Sequence, residues 1–234
     1  MKNKVLISIT TAFDVDWRSQ IEWLKKSEIR EIALFLTSLE PADRKICLDK
    51  LSSIKGLKIS FVHARSDMKK EEYRFLIDNF DTEFFNLHSQ SAKEFPWDPD
   101  AFLFKNQLLI ESANDKFDPN EVKDFKGLCL DMAHHENDRR LREESFRNNE
   151  EVIKVFPIFA NHIGPILAEP KDYGNGIRHH DSHMLHDLTE LDYLKNYSAK
   201  YFGKYLALEL MNPLIDQLKA KEYVESILAF DSLG

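Results

Sequence analysis

Short β-branched and aromatic runs alternate along this chain with segments whose apolar residues recur every three or four positions. That is the beat of buried strands separated by amphipathic helices. KVLISIT (4–10) predicts a first strand, and DWRSQIEWLKKS (16–27) a helix with Trp17, Ile21 and Leu24 on one face. EIALFLT (31–37) is the second strand; the helix after it begins at Pro41, a residue suited to a first turn, and stops by Gly56. LKISFVH (57–63) is the third strand, with a helix over about 69–80, and EFFNLH (83–88) the fourth. QLLIES (107–112) is the fifth and GLCLD (127–131) the sixth, with a charged helix over 138–148. VIKVFPIFANH (152–162) holds the seventh, a helix crosses 187–202, YLALEL (205–210) is the eighth, and a last helix runs from near Pro213 to about Ala229.

Eight strands mostly separated by helices, with no linker, composition break or internal repeat, predict an α/β fold. The expected architecture is a (β/α)8 TIM barrel, one domain over 1–234. Strands that are apolar at nearly every position fit, because barrel strands are covered on both faces. The connection between the fourth and fifth strands, SQSAKEFPWDPDAFLFKN (89–106), is expected to be shortened and irregular, since Pro96 and Pro99 leave little room for a helix. An open doubly wound sheet is the alternative; against it, no glycine-rich phosphate loop follows the first strand.

At 234 residues such a domain buries a sizeable core. A net charge of −8 argues against sequence-wide attraction to nucleic acid or anionic lipid, while leaving room for a local basic patch near a cleft. Cys47 and Cys129 read as reduced, buried thiols, since two cysteines make no disulfide framework. The opening MKNKVLISITTAFD lacks the apolar length and small-residue cleavage site of a secretory signal, and no apolar run is long enough to span a membrane. A soluble cytoplasmic protein with no membrane partner is expected.

The chemistry-bearing residues follow the strands. Catalytic residues of such barrels sit at the C-terminal strand ends. Here His63 ends the third strand, His88 the fourth, Glu111 the fifth, Asp131 the sixth, His162 the seventh and Glu209 the eighth. His134 and His135 follow Asp131, and RHHDSHMLH (178–186) follows the seventh strand; within it His179, His180 and His186 read as a solvated polar loop. A lone histidine at a strand end is more often structural than a ligand. The fold, however, gathers these ends around one cleft, where several ionised carboxylates repel unless cations lie between them. The set predicts a divalent-metal site.

GLCLDMAH (127–134), a strand ending in Asp with His three residues on, resembles the endonuclease IV motif within the xylose isomerase-like TIM barrel superfamily, which also holds sugar isomerases and epimerases. NLHSQS (86–91) and IES (110–112) resemble that group's positions more loosely. The resemblance implies a trinuclear, zinc-type centre, with manganese or magnesium as alternatives. His63, His88 and Glu111 would hold one ion; Glu111, Asp131, His162 and Glu209 a second; His134, Asp181 and His183 a third. Sugar isomerases share only Glu111, Asp131, His162 and Glu209, around a single manganese, magnesium or cobalt ion, with His134 near the substrate. The chain departs from the endonuclease pattern in its short loops, in NHIGPIL (161–167), which lacks the Asp after His162, and in MLHDLTELD (184–192), which replaces a glycine-rich stretch.

Two reactions follow, with Glu111, Glu209 and His134 as the catalytic residues. In a phosphoester hydrolase Glu111 bridges paired ions; three divalent ions against Glu111, Asp131, Asp181 and Glu209 leave about +2, which suits a phosphate. In a sugar or sugar-phosphate isomerase or epimerase, one ion against three carboxylates leaves about −1, which suits a polyol, and Glu111 and Glu209 form the acid–base pair. The hydrolase comes first, and a barrel that binds a partner without turnover last. Short loops favour a small phosphorylated or sugar substrate over duplex DNA. Arg65, Arg139, Arg140 and Arg178 read as phosphate holders or as a solvated face, and Phe95 and Trp97 as stacking platforms or loop packing.

Overall fold

In the computed structural model, which describes residues 3–12, 15–90, 96–112, 116–172, 174 and 176–231, the first strand is divided in two. β1 (Lys4–Leu6) ends one residue before β2 (Ser8–Thr10) begins, and β2 pairs in parallel with β3 (Glu31–Phe35). β4 (Lys58–His63), β5 (Phe84–His88), β6 (Leu108–Glu111), β7 (Gly127–Asp131) and β8 (Ile158–Ile163) follow side by side. An antiparallel hairpin, β9 (Ile166–Asp172) and β10 (Arg178–Asp181), stands apart from them, and β11 (Tyr205–Leu208) then pairs with both β8 and β1. Every pair in the main sheet is parallel. Residues 4–10 thus touch both ends of the strand order and bring the sheet round into a nearly closed barrel of eight staves.

The helices cover its outside. α1 (Trp17–Lys26) starts because Asp16 accepts a hydrogen bond from the Ser19 N–H at 3.1 Å, and it buries Trp17, Ile21 and Leu24. α2 (Pro41–Ser52) has its proline in the first turn. α3 (Lys70–Phe80) is stitched to α2 by Arg44, which is fully buried: its guanidinium grips Glu72 at 2.8 and 3.1 Å and Asp67 at 2.9 Å. After β5 comes a 3-10 turn over Pro99–Phe104, the irregular connection expected there. α4 (Pro119–Val122) is a single turn, and α7 (Leu214–Asp231) closes the chain.

Three expectations change. The charged helix begins earlier than 138 and is broken: α5 (Met132–Leu141) starts directly after β7, because Asp131 accepts from the His134 N–H at 2.7 Å. The chain turns at Arg142 and α6 (Glu143–Ile153) follows, so residues 152 and 153 end a helix and the seventh stave begins only at Ile158. The predicted helix over 187–202 is two 3-10 segments, Leu188–Asn196 and Ala199–Tyr201. Leu188, Leu191 and Leu194 recur every three residues, which places them in line on a three-residue turn rather than on an α-helix. No helix among the described residues is long and apolar enough to cross a membrane.

Inside the barrel, Leu6, Ala33, Phe35, Phe61, Leu109, Cys129, Ala160 and Ala207 pack as one buried cluster. Side chains alternate along a strand, so residues two positions beyond an inward one also face inward. Phe61, Leu109, Cys129, Ala160 and Ala207 therefore carry His63, Glu111, Asp131, His162 and Glu209 above them, towards the C-terminal mouth.

Candidate metal centre

Neighbouring side chains of the ring of strand ends approach one another to between 3.0 and 4.0 Å. Glu111, wholly buried, has His63 Nε2 3.1 Å from its Oε2 and His162 Nδ1 3.3 Å from its Oε1. His88 Nε2 approaches His63 Nε2 to 3.0 Å and Glu111 Oε1 to 3.9 Å. On the far side, His162 Nδ1 lies 3.3 Å from Glu209 Oε2, and His183 Nδ1 lies 4.0 Å from Glu209 Oε1. Asp131 Oδ2 is 3.9 Å from His134 Nε2, whose other nitrogen is 3.2 Å from Asp181 Oδ2. All nine residues singled out in the sequence meet at one mouth. Asp181 and His183 reach it by a route the sequence pattern did not show, on and just after the β9–β10 hairpin.

Among the described residues, two groups of donors are close enough to share an ion: His63 with Glu111 and His162, and Asp131 with His162 and Glu209, all chosen atoms within 4.8 Å of one another. His162 belongs to both. Its two ring nitrogens are buried without a hydrogen bond, and leaving such a group unpaired costs about 1–3 kcal/mol. The rings of Phe35 and Phe61, with centroids 4.8 and 5.5 Å away, close its flanks to water. An orphaned imidazole nitrogen placed between two carboxylates suits a proton or a cation. With imidazole nitrogens and carboxylate oxygens converging from six strand ends and a hairpin, the donor set fits a divalent ion such as zinc or manganese.

Without cations the site balances its own charge with protons. Burial works against charge on Glu111, yet His162, His63 and His88 hold its carboxyl well below the usual range. Glu209 is likewise held low against burial, by His183 and His162. Asp131 goes the other way: burial pushes its carboxyl up to about 6, against His134 and with Glu209 adding to the rise. Burial also opposes charge on His134, but Asp131 and the bond to Asp181 outweigh it and carry the ring up to about 10.

The rim arginines are engaged elsewhere. Arg65 grips Glu40 at 2.7 Å, and Arg178 donates to the Pro170 carbonyl at 3.1 Å. Arg139 and Arg140 clamp the fully buried Glu136 at 2.7 and 2.8 Å, and Tyr197 donates to it at 2.8 Å. Trp97 donates from Nε1 to the His88 carbonyl at 3.0 Å and packs edge-on against Phe125, so it supports the strand end; Phe95 lies outside the described residues. His180, expected in a solvated loop, is buried, its Nδ1 bonded to the Leu167 carbonyl at 2.9 Å. His179 is nearly as enclosed, 3.5 Å from Asp181 Oδ1, because the segment is a strand docked on α5 rather than a loop. His186 keeps the exposed place expected of it. Cys47 and Cys129 are free buried thiols, each pushed up to about 12 by burial.

One residue of the site escaped sequence reasoning. Asn86 on β5, fully buried, donates from Nδ2 to Glu111 Oε2. The available signal was an amide two positions before His88, on the inward face of an otherwise apolar strand.

No family model matches the sequence, and no curated protein matches it. Among solved structures, the chain is similar to the apo form of a 3-keto-D-glucoside 4-epimerase from E. coli, at 9% identity and TM-score 0.45, over 97% of this chain and 100% of that one. It is similar to an HpcH/HpaI aldolase from Desulfitobacterium hafniense, at 9% identity and TM-score 0.46, over 97% and 93% of the two chains. It is also similar to a xylose isomerase domain containing protein from Salmonella typhimurium, at 12% identity and TM-score 0.45, over 99% of each chain.

Proposed function

We propose that this chain is a divalent-metal-dependent enzyme of the xylose isomerase-like superfamily that hydrolyses a small phosphoester at a multinuclear centre. The observation that supports it most is the Glu111 carboxylate, which turns its two oxygens towards different imidazoles, His63 at 3.1 Å and His162 at 3.3 Å. A carboxylate placed so is suited to bridge two ions. In this reading His63, His88 and Glu111 hold one ion, Glu111, Asp131, His162 and Glu209 a second, and His134, Asp181 and His183 a third.

Bound there, divalent cations supply Lewis acidity towards phosphoryl oxygens and make water a competent nucleophile at neutral pH. The chain's own groups do the rest. Glu209, with its side chain 16% exposed, is the carboxylate of the Glu111–Asp131–Glu209 set that opens most towards the mouth, placed to take a proton from incoming water. Asp181, with Oδ2 3.2 Å from His134 Nδ1, orients the His134 ring. The described rim arginines are engaged with Glu40, Glu136 and the Pro170 carbonyl, which favours a small substrate over a duplex.

A second reading draws on the Asp131–His162–Glu209 group alone. One ion held there with Glu111 would leave Glu111 and Glu209, each 3.3 Å from His162 Nδ1, to remove and return a proton beside a sugar carbonyl. Elemental analysis of purified protein separates the two. Two or three ions per chain support the hydrolase, one ion supports the isomerase or epimerase, and none after reconstitution refutes both.

A further inference from the structure

Asn86 is costly where it stands. It is wholly buried, it faces His63 across the β4–β5 ladder and Leu109 across the β5–β6 ladder, and its Oδ1 has no hydrogen-bond partner. A leucine there would match the apolar residues beside it and strand no polar atom. What the amide provides is one directed bond, from Nδ2 to Glu111 Oε2. The orientation follows from the partner, since turning the amide would set its oxygen against a carboxylate.

That bond breaks the equivalence of the two Glu111 oxygens. Oε2 already lies beside His63, and with Asn86 donating to it the carboxylate plane can no longer rotate. Oε1 is then left facing His162 at 3.3 Å and His88 at 3.9 Å. We propose that Asn86 is a positioning residue of the metal centre, fixing the Glu111 carboxylate so that each oxygen is presented to a different ion. The inference rests on the metal-centre reading above and deepens it. Groups that orient a metal ligand without touching the metal typically change affinity by about 10–100-fold when removed.

The test is zinc affinity of the chelator-stripped full chain, by competition against a chromophoric chelator, for wild type, Asn86→Ala and Asn86→Leu. Near-UV circular dichroism checks the fold of each. The leucine variant fills the space that alanine leaves, so one of the two reads out if the other folds poorly. Both should lose about 10–100-fold in affinity for at least one ion. The same substitutions are then made in an Glu111→Gln background, where they should cost less than about twofold further, because two residues acting through one contact are not additive. A purely structural asparagine would instead weaken binding equally in both backgrounds, and that result overturns the inference. So does wild-type affinity in both single variants. A wild-type chain that binds no zinc overturns the metal reading itself, which is a distinguishable failure.

Discussion

Loading the metal-stripped protein with zinc at pH 7 should release about two protons per chain. His134 and His162 are the imidazoles that supply them. His134, carried to about 10 by Asp131 and Asp181 against burial, is protonated at pH 7. Burial opposes charge on His162, but the Glu111 and Glu209 carboxylates, each 3.3 Å from its Nδ1, raise it above its ordinary value. Both must give up a proton before a lone pair can meet a cation. Asp131, at about 6, is mostly ionised at pH 7 but holds its proton below that, so the count should climb towards about three as the pH falls through 6. Zinc affinity near pH 7 should then change by about two log units per pH unit, weakening towards acid.

Calorimetric titration in two buffers of different ionisation enthalpy reads the proton count directly. His134→Asn should lower it by about one. A release near zero in the wild type would refute the charge balance drawn here, and an unchanged count in His134→Asn would remove that residue from the centre.

Asp131→Asn should stabilise the metal-free protein at pH 8 while abolishing tight metal binding. The folded chain favours protonated Asp131, so that stability is present below the ordinary carboxyl value and lost as pH rises through about 6. Asparagine keeps the cap on α5 without the buried charge, and melts at pH 8 and pH 4 should show the advantage only at the higher pH. His183→Ala should cut phosphoesterase turnover severely if a third ion is used, and sugar isomerisation only modestly, measured with both substrate classes. Arg44→Ala should cost about 3 kcal/mol in urea denaturation, because it strands the half-buried Glu72, while leaving metal stoichiometry at the wild-type value.

The staves were legible because each is a short run of apolar residues with nothing else it could form, and their polar last residues declared the mouth. His63, Glu111, Asp131, His162 and Glu209 could be placed together from period-two alternation and a barrel alone. What the pattern hid lies where polar residues are buried. Along MAHHENDRRL the pattern predicts a charged helix only from 138, yet α5 begins at Met132, with His135, Glu136, Asn137 and Asp138 all buried. Periodicity sees only apolar residues, so the first turns of a helix that packs through hydrogen bonds and ion pairs are hidden from it. Asn86 was missed for the same reason, as one amide inside an apolar strand.

The burial of α5's polar face and the arrival of Asp181 at the mouth have one cause. Asn137 accepts from the His180 N–H at 2.8 Å, and His180 Nδ1 bonds the Leu167 carbonyl at 2.9 Å, so both strands of the β9–β10 hairpin are tied in place by polar contacts. Glu136, held by Arg139 and Arg140, accepts from Tyr197 and so ties the same helix to the end of the 3-10 segment over Leu188–Asn196. Satisfied buried hydrogen bonds fix the hairpin in one placement on its support. Asp181 sits one residue beyond the anchored His180, and its Oδ2 meets His134 Nδ1 at 3.2 Å. The helix that carries His134 at its start thereby also delivers the carboxylate that holds it, which is why GLCLDMAHHEND spends so many polar residues in the interior of the protein.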